Sequence, residues 1–198
     1  FVSLNRSMLL IARNLDTIDA FRRRMLELSK TSKRTREAFG AILKEEAFQP
    51  GMWSALRKAV SRLKRAREED IQLIERAEPI YRELSKQLES HGLTVEAAIR
   101  IYQTAASRAG MSTEEFARAI EVARQVQQRF NLTFRETPQN IAAVYRSYNR
   151  LEMISRETGM SLEDISRLFP GIFARLVTGA ESSARSFEIF RESLRDLA

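Results

Sequence analysis

The sequence predicts an all-α protein in which long amphipathic, coiled-coil-like helices precede an array of short helices joined by Gly-apolar-Ser/Thr corners. Only 7 glycines and 4 prolines occur in 198 residues, whereas a β-rich fold needs a turn about every 8–12 residues. No segment alternates apolar and polar residues as a strand does. Apolar residues recur instead at spacings of three and four, the period of one helix face. We expect two domains, a basic long-helix region at 1–89 and a multi-helix domain at 90–198.

The first segment predicts one long amphipathic helix up to about residue 28. Its apolar residues step by alternating four and three, the rhythm of a coiled-coil seam. Arg22 alone interrupts this stripe, and extra apolar residues widen it toward a bundle or multi-helix assembly. We expect this stripe to form contacts between copies of the chain, through Leu4, Met8, Ile11, Leu15, Ile18 and Met25. A polar, basic stretch at 29–36 predicts a helix break, and a short helix is expected over 35–47.

The second long helix is predicted over residues 52–90, after a turn at Gln49-Pro50-Gly51. The same rhythm extends the oligomerisation stripe through Trp53, Leu56, Val60 and Leu63. It resumes at Ile74 only after an eleven-residue step, a stutter that would locally unwind a supercoil. Pro79 is expected to kink or split this helix, because its ring blocks a backbone hydrogen bond.

From residue 90 onward one join recurs four times between predicted short helices. A Gly or Asn takes the left-handed position that ends one helix, and a Ser or Thr two residues later caps the next. Acidic side chains three residues after the cap, at Glu115 and Glu136, complete reciprocal capping boxes, and Asp164 occupies the same place. The four corners are formed by the pairs Gly92 and Thr94, Gly110 and Ser112, Asn131 and Thr133, and Gly159 and Ser161.

The net charge of +7 is concentrated in the first third of the chain. Residues 1–70 contain 16 Lys and Arg against 9 Asp and Glu, whereas the remaining residues contain 17 of each. One interpretation of this positive charge is the flank of a coiled-coil helix whose basic side chains are solvated or paired with acids. The alternative is a helical nucleic-acid-binding protein that uses the basic face of residues 22–67 without reading sequence. Its expected phosphate contacts are Arg57, Lys58, Arg62, Lys64 and Arg65.

Two corners have the spacing of a DNA-reading helix–turn–helix. In that motif the first residues of the second helix meet base edges and phosphates. Here those positions hold Glu114 and Glu115 in one corner, and Glu163 and Asp164 in the other. Carboxylates would face the negatively charged backbone. The pattern therefore favours corners that serve packing.

The sequence predicts no catalytic, cofactor-binding or metal site, and we expect a protein that is not an enzyme and has no small-molecule substrate. The absence of cysteine excludes disulfides, thiolate zinc sites and cysteine nucleophiles. The lone histidine, His91, stands beside a helix-ending glycine and is expected to satisfy helix carbonyls. No phosphate-binding glycine loop, HExxH or EF-hand pattern occurs. No apolar run approaches the roughly 20 residues of a membrane span.

Two stretches of the second half, 109–115 and 157–164, are Gly-apolar-Ser corners followed by acids, and two further glycine-containing stretches follow at 168–172 and 178–184. Over residues 90–198 the chain resembles the core region of bacteriophage tail tape-measure proteins. Pro170 departs from that pattern, and the chain is shorter than most tape measures. It begins without Met inside a predicted helix, so we expect a piece of a longer protein.

The resemblance implies a non-enzymatic structural protein that lies in the tube of a virion tail and sets tail length. It implies several copies of the chain, contacts with tail tube and tail tip proteins, and residence in the host cytoplasm during assembly. No catalytic residue is transferred by the resemblance. A helical adaptor or regulator of an unrelated system stays open as a third interpretation.

Overall fold

The computed structural model describes residues 2–44, 51–89, 91–179 and 183–195, with side chains from residue 6 onward. Within these ranges the regular structure consists of eleven helices and no strand. The all-α prediction is therefore confirmed for the described part of the chain. The chain divides into two compact units, unit 1 (Phe1–Thr104) and unit 2 (Ala105–Ala198). This division falls inside a helix, whereas the sequence analysis places the domain boundary at residue 90.

Unit 1 is a helical bundle in which the fifth helix packs against the first, second and fourth. The contacts of Ser7 with Gln87 and of Arg24 with Asp70 show that this fifth helix runs antiparallel to the first two. The helices are α1 (Val2–Arg13), α2 (Leu15–Ser29), α3 (Lys33–Leu43), α4 (Met52–Ser61), α5 (Glu68–Glu89) and α6 (Val95–Arg108), the last of which contains the division between the units.

Four aromatic rings, one from each of α2 to α5, form the centre of unit 1. The ring of Phe21 lies 6.0 Å from that of Phe39, 5.8 Å from Trp53 and 5.3 Å from Tyr81 between centroids. Trp53 and Tyr81 also meet edge to face at 6.0 Å. All four side chains are buried. The aromatic cluster of Phe21, Phe39, Trp53 and Tyr81 thus joins helices that are distant in sequence.

Both predicted long helices are broken in the structure. The first is interrupted at Asn14, where α1 ends and α2 begins, and the Asn14 Nδ2 group donates to the Leu10 carbonyl at 2.9 Å. An Asn side chain that bonds nearby carbonyls competes with the helix ladder. The second is interrupted at residues 62–67, within the predicted stutter, so a single helix over 52–90 is wrong. Pro79 lies inside α5 without splitting it.

The ends of the shorter predicted segments also differ from those in the structure. The predicted break after Ser29 occupies residues 30–32, and α3 ends at Leu43 instead of residue 47. Gln49 and Pro50 of the predicted turn lie outside the described residues, while Gly51 has a left-handed φ of 97° before α4.

Unit 2 is organised around one central helix. Its helices are α7 (Thr113–Phe130), α8 (Pro138–Thr158), α9 (Leu162–Leu168), α10 (Pro170–Val177) and α11 (Ala184–Arg195). The other four pack against α8. The rings of Phe130 and Phe173 pack in a tilted arrangement at 4.7 Å between α7 and α10, and Phe169 meets Phe190 edge to face at 5.7 Å. Gly179 has a φ of 80°, and a Cβ there would lie 3.0 Å from the Ala143 Cβ. That position therefore requires glycine.

The helix joins after residue 90 have specific local geometry. The four residues predicted to end a helix in the left-handed conformation are Gly92, Gly110, Asn131 and Gly159. Backbone φ is positive at all four. Ser112 and Glu115 form a reciprocal capping box. The Ser161 Oγ atom accepts from the Asp164 amide at 3.1 Å, and the Thr94 Oγ1 atom accepts from the Ala97 amide at 3.0 Å.

The third corner differs from its prediction in its second half. Thr133 caps no helix, because α8 begins only at Pro138 and its N-cap is Thr137, which accepts from the Asn140 amide at 3.2 Å. Proline is favoured in the first helical turn, and it restricts the preceding residue to extended backbone, which is the N-cap conformation. Glu136 accordingly forms no capping box and accepts from the Gln127 side-chain amide.

These two threonines provide a matched pair for a stability measurement. Thr137→Ala is expected to lower the free energy of unfolding of unit 2 by about 1 kcal/mol, the usual cost of losing an N-cap oxygen. Thr133→Ala removes the same atoms from an exposed site that caps nothing and should change stability by less than about 0.5 kcal/mol. Urea unfolding followed by far-UV circular dichroism measures both. Equal losses would contradict the assigned cap.

Candidate functional site

The basic turn, which we define as residues 62–67 between α4 and α5, contains four of the first third's basic residues. Arg62, Lys64, Arg65 and Arg67 are all exposed. Two backbone hydrogen bonds, from the Leu63 amide to Val60 and from the Ala66 amide to Leu63, give the turn a compact course. The turn thus presents a high density of positive charge on a short, internally bonded segment.

Asp70 attaches the basic turn to the bundle. Its carboxylate accepts two hydrogen bonds from the Arg24 guanidinium, at 2.6 and 3.0 Å, and a third from the Arg67 amide at 2.8 Å. The Asp70 side chain is only 5% exposed. The Arg24 guanidinium, opposed by burial, holds the pKa of the Asp70 carboxyl below its usual range, and the Arg67 amide contributes in the same direction. The hydrogen bonds of Arg24 to Asp70 and then to Glu27 raise the pKa of Arg24.

Of the five side chains predicted to contact phosphate, one is already paired with an acid of the same chain. Arg57 is paired with Glu78 of α5 and is partly buried. Lys58, Arg62, Lys64 and Arg65 are exposed and form no ion pair with any acid in the described ranges. Elsewhere on the predicted basic face, Arg22 pairs with Glu96 at 2.5 Å. The acid-paired interpretation therefore fits Arg22, Arg24 and Arg57, whereas all four basic residues of the basic turn are exposed and form no ion pair with an acid in the described ranges.

A second turn lies beside the basic turn. Residues 30–32 connect α2 to α3, and the Thr31 hydroxyl closes this connection by donating to the Leu28 carbonyl at 2.6 Å. Thr31 and Leu28 line a hollow of about 470 Å³ together with Arg24, Glu27 and four residues of the basic turn, namely Lys64, Arg65, Ala66 and Arg67. The fold thus brings together two cationic turns that are more than thirty residues apart in the sequence.

Sequence reasoning missed the residues that hold these turns together. Asp70 is not among the predicted site residues, although an acid in the first turn of a helix that reaches back to the N-cap amide is half of a capping box. That signal could have identified its bond to the Arg67 amide. Nothing local indicates its partner Arg24, which stands 46 residues earlier.

The predicted oligomerisation stripe is occupied within one chain. The side chains of Ile11, Leu15, Ile18, Met25, Trp53, Leu56 and Val60 are at most 5% exposed in the single chain. Met8 and Leu63 are half-buried, and the side chain of Leu4 lies outside the described residues. A fully buried side chain has no surface to offer a second copy. We therefore correct the predicted role of the seven buried residues, because they form part of the core of unit 1.

Two buried polar atoms lie in the aromatic cluster. The Trp53 Nε1 group and the Tyr81 hydroxyl are buried without a hydrogen-bond partner among the described residues. Burial raises the pKa of the Tyr81 phenol well above its usual range. The phenol therefore stays neutral at physiological pH, and the cluster behaves as a packed apolar core.

Other chemical features of the described ranges are few. No three His, Cys, Asp or Glu side chains in these ranges converge as metal ligands would. No helix in the same ranges is both long and apolar enough to cross a membrane. Another hollow, of about 630 Å³, lies between α2 and the start of α5, and its charged lining includes the paired Arg24 and Asp70.

The acids of the two helix–turn–helix-like corners remain at the beginning of their helices. Glu114 is exposed, and hydrogen bonds, first from its own backbone amide and then from Ser112 and Thr113, lower the pKa of its carboxyl. Glu163 pairs with Arg129 of α7. The Glu114 carboxylate therefore accepts hydrogen bonds at the start of its own helix, and the Glu163 carboxylate connects α9 to α7.

No protein-family model, no curated protein and no solved structure matches this chain.

Proposed function

We propose that the chain is a non-enzymatic structural segment of a phage-like tail, a tape measure that occupies the lumen of the tail tube and sets tail length. The observation on which the proposal rests is the succession of glycine corners in residues 90–198, together with their resemblance to tape-measure core regions. The corner at Gly159 is closed by a left-handed glycine, and Ser161 caps the helix that follows. Pro170, which departs from the family pattern, is the first residue of α10, where proline is favoured.

In this function the chain contacts tail tube and tail tip proteins, is present in several copies, and passes through the host cytoplasm during assembly. The several copies are supported by the resemblance alone, because the stripe residues that suggested a seam are buried within unit 1. The interface between copies therefore lies on other surfaces.

Tail length provides the test. An in-frame duplication of residues 1–198 in the natural gene should lengthen the tails that are assembled from it. If the added chain lies in the tube as extended helix, at 1.5 Å per residue, the increase approaches about 300 Å. Electron microscopy of the particles gives the length distribution.

A substitution on the surface of unit 1, Leu26→Ala, serves as the control, since it changes neither chain length nor the core and should leave tail length unchanged. Mass spectrometry of purified particles verifies that the longer protein is incorporated. Tails of unchanged length that contain the duplicated protein would refute the ruler function.

A further inference from the structure

We propose that the basic turn and the neighbouring α2–α3 turn form one surface that binds the phosphate backbone of duplex DNA without reading its sequence. This inference goes beyond tail length determination and depends on a different part of the chain. It concerns Lys30 and Arg34 on one side, and Arg62, Lys64 and Arg65 on the other. All five side chains are exposed.

The first argument is the distribution of unpaired charge. Three helix arginines of this region are neutralised internally, with Arg22 on Glu96, Arg24 on Asp70 and Arg57 on Glu78. The residues of the proposed surface form no ion pair with the acids that the structure describes. Cations without a protein partner are free to replace the counterions of a polyanion, which is the main source of sequence-independent affinity for DNA.

The second argument is proximity. Thr31, Lys64 and Arg65 line the same hollow of about 470 Å³, so the two turns lie side by side. Lys30 adjoins Thr31 in the chain. Lys30 is thereby brought close to Lys64 and Arg65, and clustered like charges of this kind attract an anionic polymer and not a neutral surface.

The third argument is rigidity. The Asp70 carboxylate is hydrogen-bonded to both the Arg67 amide and the Arg24 guanidinium, which anchors the basic turn to α2 and α5. The Thr31 hydroxyl closes the other turn on α2. Because both backbones are already ordered, binding loses less conformational entropy than it would with a free basic tail.

The fourth argument distinguishes duplex from single-stranded DNA. Proteins that bind single strands stack bases on exposed aromatic rings. In unit 1 the described rings of Phe39 and Trp53 are 5% and 1% exposed and pack in the core. The described surface therefore offers charge without stacking platforms, which fits the regular backbone of a duplex. Contacts to phosphates carry no sequence information, so no sequence preference is expected.

Fluorescence anisotropy with a labelled 20-base-pair duplex tests the proposal on the 198-residue chain. Since the slope of log K against log salt is about −0.9 per phosphate contact, four to five contacts predict a slope of about −4. The triple variant Arg62→Ala, Lys64→Ala, Arg65→Ala should reduce the slope by about 3 and the affinity in 50 mM salt by at least about tenfold. The charge-conserving double variant Arg62→Lys, Arg65→Lys should bind like the wild type.

A matched triple variant in unit 2, Arg108→Ala, Arg156→Ala, Arg185→Ala, removes the same charge from exposed positions and should retain the affinity and the slope. Fluorescence of Trp53, the one tryptophan of the chain, verifies that unit 1 stays folded in every variant. Equal losses in both triple variants would show that only net charge matters and would overturn the proposal. So would tighter binding to a single strand of equal length, or binding to phosphatidylserine vesicles with none to the duplex.

Discussion

Phe21→Ala is expected to lower the free energy of unfolding of unit 1 by about 3–5 kcal/mol, the usual cost of truncating a buried phenylalanine. Phe21 is fully buried and contacts the other three rings of the aromatic cluster. Its removal leaves a cavity where α2, α3, α4 and α5 meet and eliminates three ring–ring contacts. Domains of this size are stable by only about 5–15 kcal/mol, so the loss is a large fraction of the total.

Urea unfolding followed by Trp53 fluorescence measures this loss within unit 1, because Trp53 is the only tryptophan and lies in the aromatic cluster. Leu26→Ala is the control on the same helix, since Leu26 is 54% exposed and should contribute less than about 0.5 kcal/mol. If Phe21→Ala and Leu26→Ala unfolded at the same urea concentration, the aromatic cluster would not be the core of unit 1.

Asp70→Asn is expected to be the second most destabilising substitution, lowering the stability of unit 1 by about 3 kcal/mol at pH 7. The change keeps the shape of the side chain but removes the negative charge, so the Arg24 guanidinium loses its partner. Breaking a buried ion pair costs about 3–5 kcal/mol, and the lower end applies because Arg24 is 30% exposed. Glu27→Gln is the matched control, since Glu27 also pairs with Arg24 but is 63% exposed and should contribute at most about 1 kcal/mol.

The effect of Asp70→Asn should depend on pH in a defined direction. The pKa of the Asp70 carboxyl is lower in the folded protein than its ordinary value, which is about 3.9. The stabilisation is therefore fully present above about pH 4 and is lost as the pH falls through the lower folded value. Urea unfolding at pH 7, 5, 4 and 3 should show a constant gap between wild type and variant, which narrows only at the lowest pH. A gap that closed already at pH 5 would mean that Asp70 is not held ionised by Arg24.

The sequence indicates helices and their buried faces well because those signals are local. The spacing of Ile11, Leu15 and Ile18 identifies a buried face, and all three are buried. The same spacing does not tell which helix covers that face. The same apolar period is required by a seam between two copies and by a core within one chain. The apolar spacing therefore cannot distinguish an oligomerisation stripe from the core of a single chain.

The interrupted helices and the paired arginines were harder to predict for different reasons. The helix is interrupted at Asn14 although the apolar rhythm continues from Ile11 to Leu15, so the apolar spacing gives no sign of the interruption. The pairing of Arg22 with Glu96 spans 74 residues. Composition therefore reveals where the positive charge is concentrated, but no local signal separates the neutralised arginines from the exposed basic turn.

The antiparallel course of α4 and α5, shown by the contacts of Trp53 with Tyr81 and of Arg57 with Glu78, has a mechanical consequence. A compact chain of about 100 residues has a radius of gyration of about 13 Å. The same residues in one straight helix would have an end-to-end length of about 150 Å. Tension applied to the two ends of unit 1 would separate α4 from α5 and convert a folded bundle into contour length. The aromatic rings between these helices would set the force at which that extension begins.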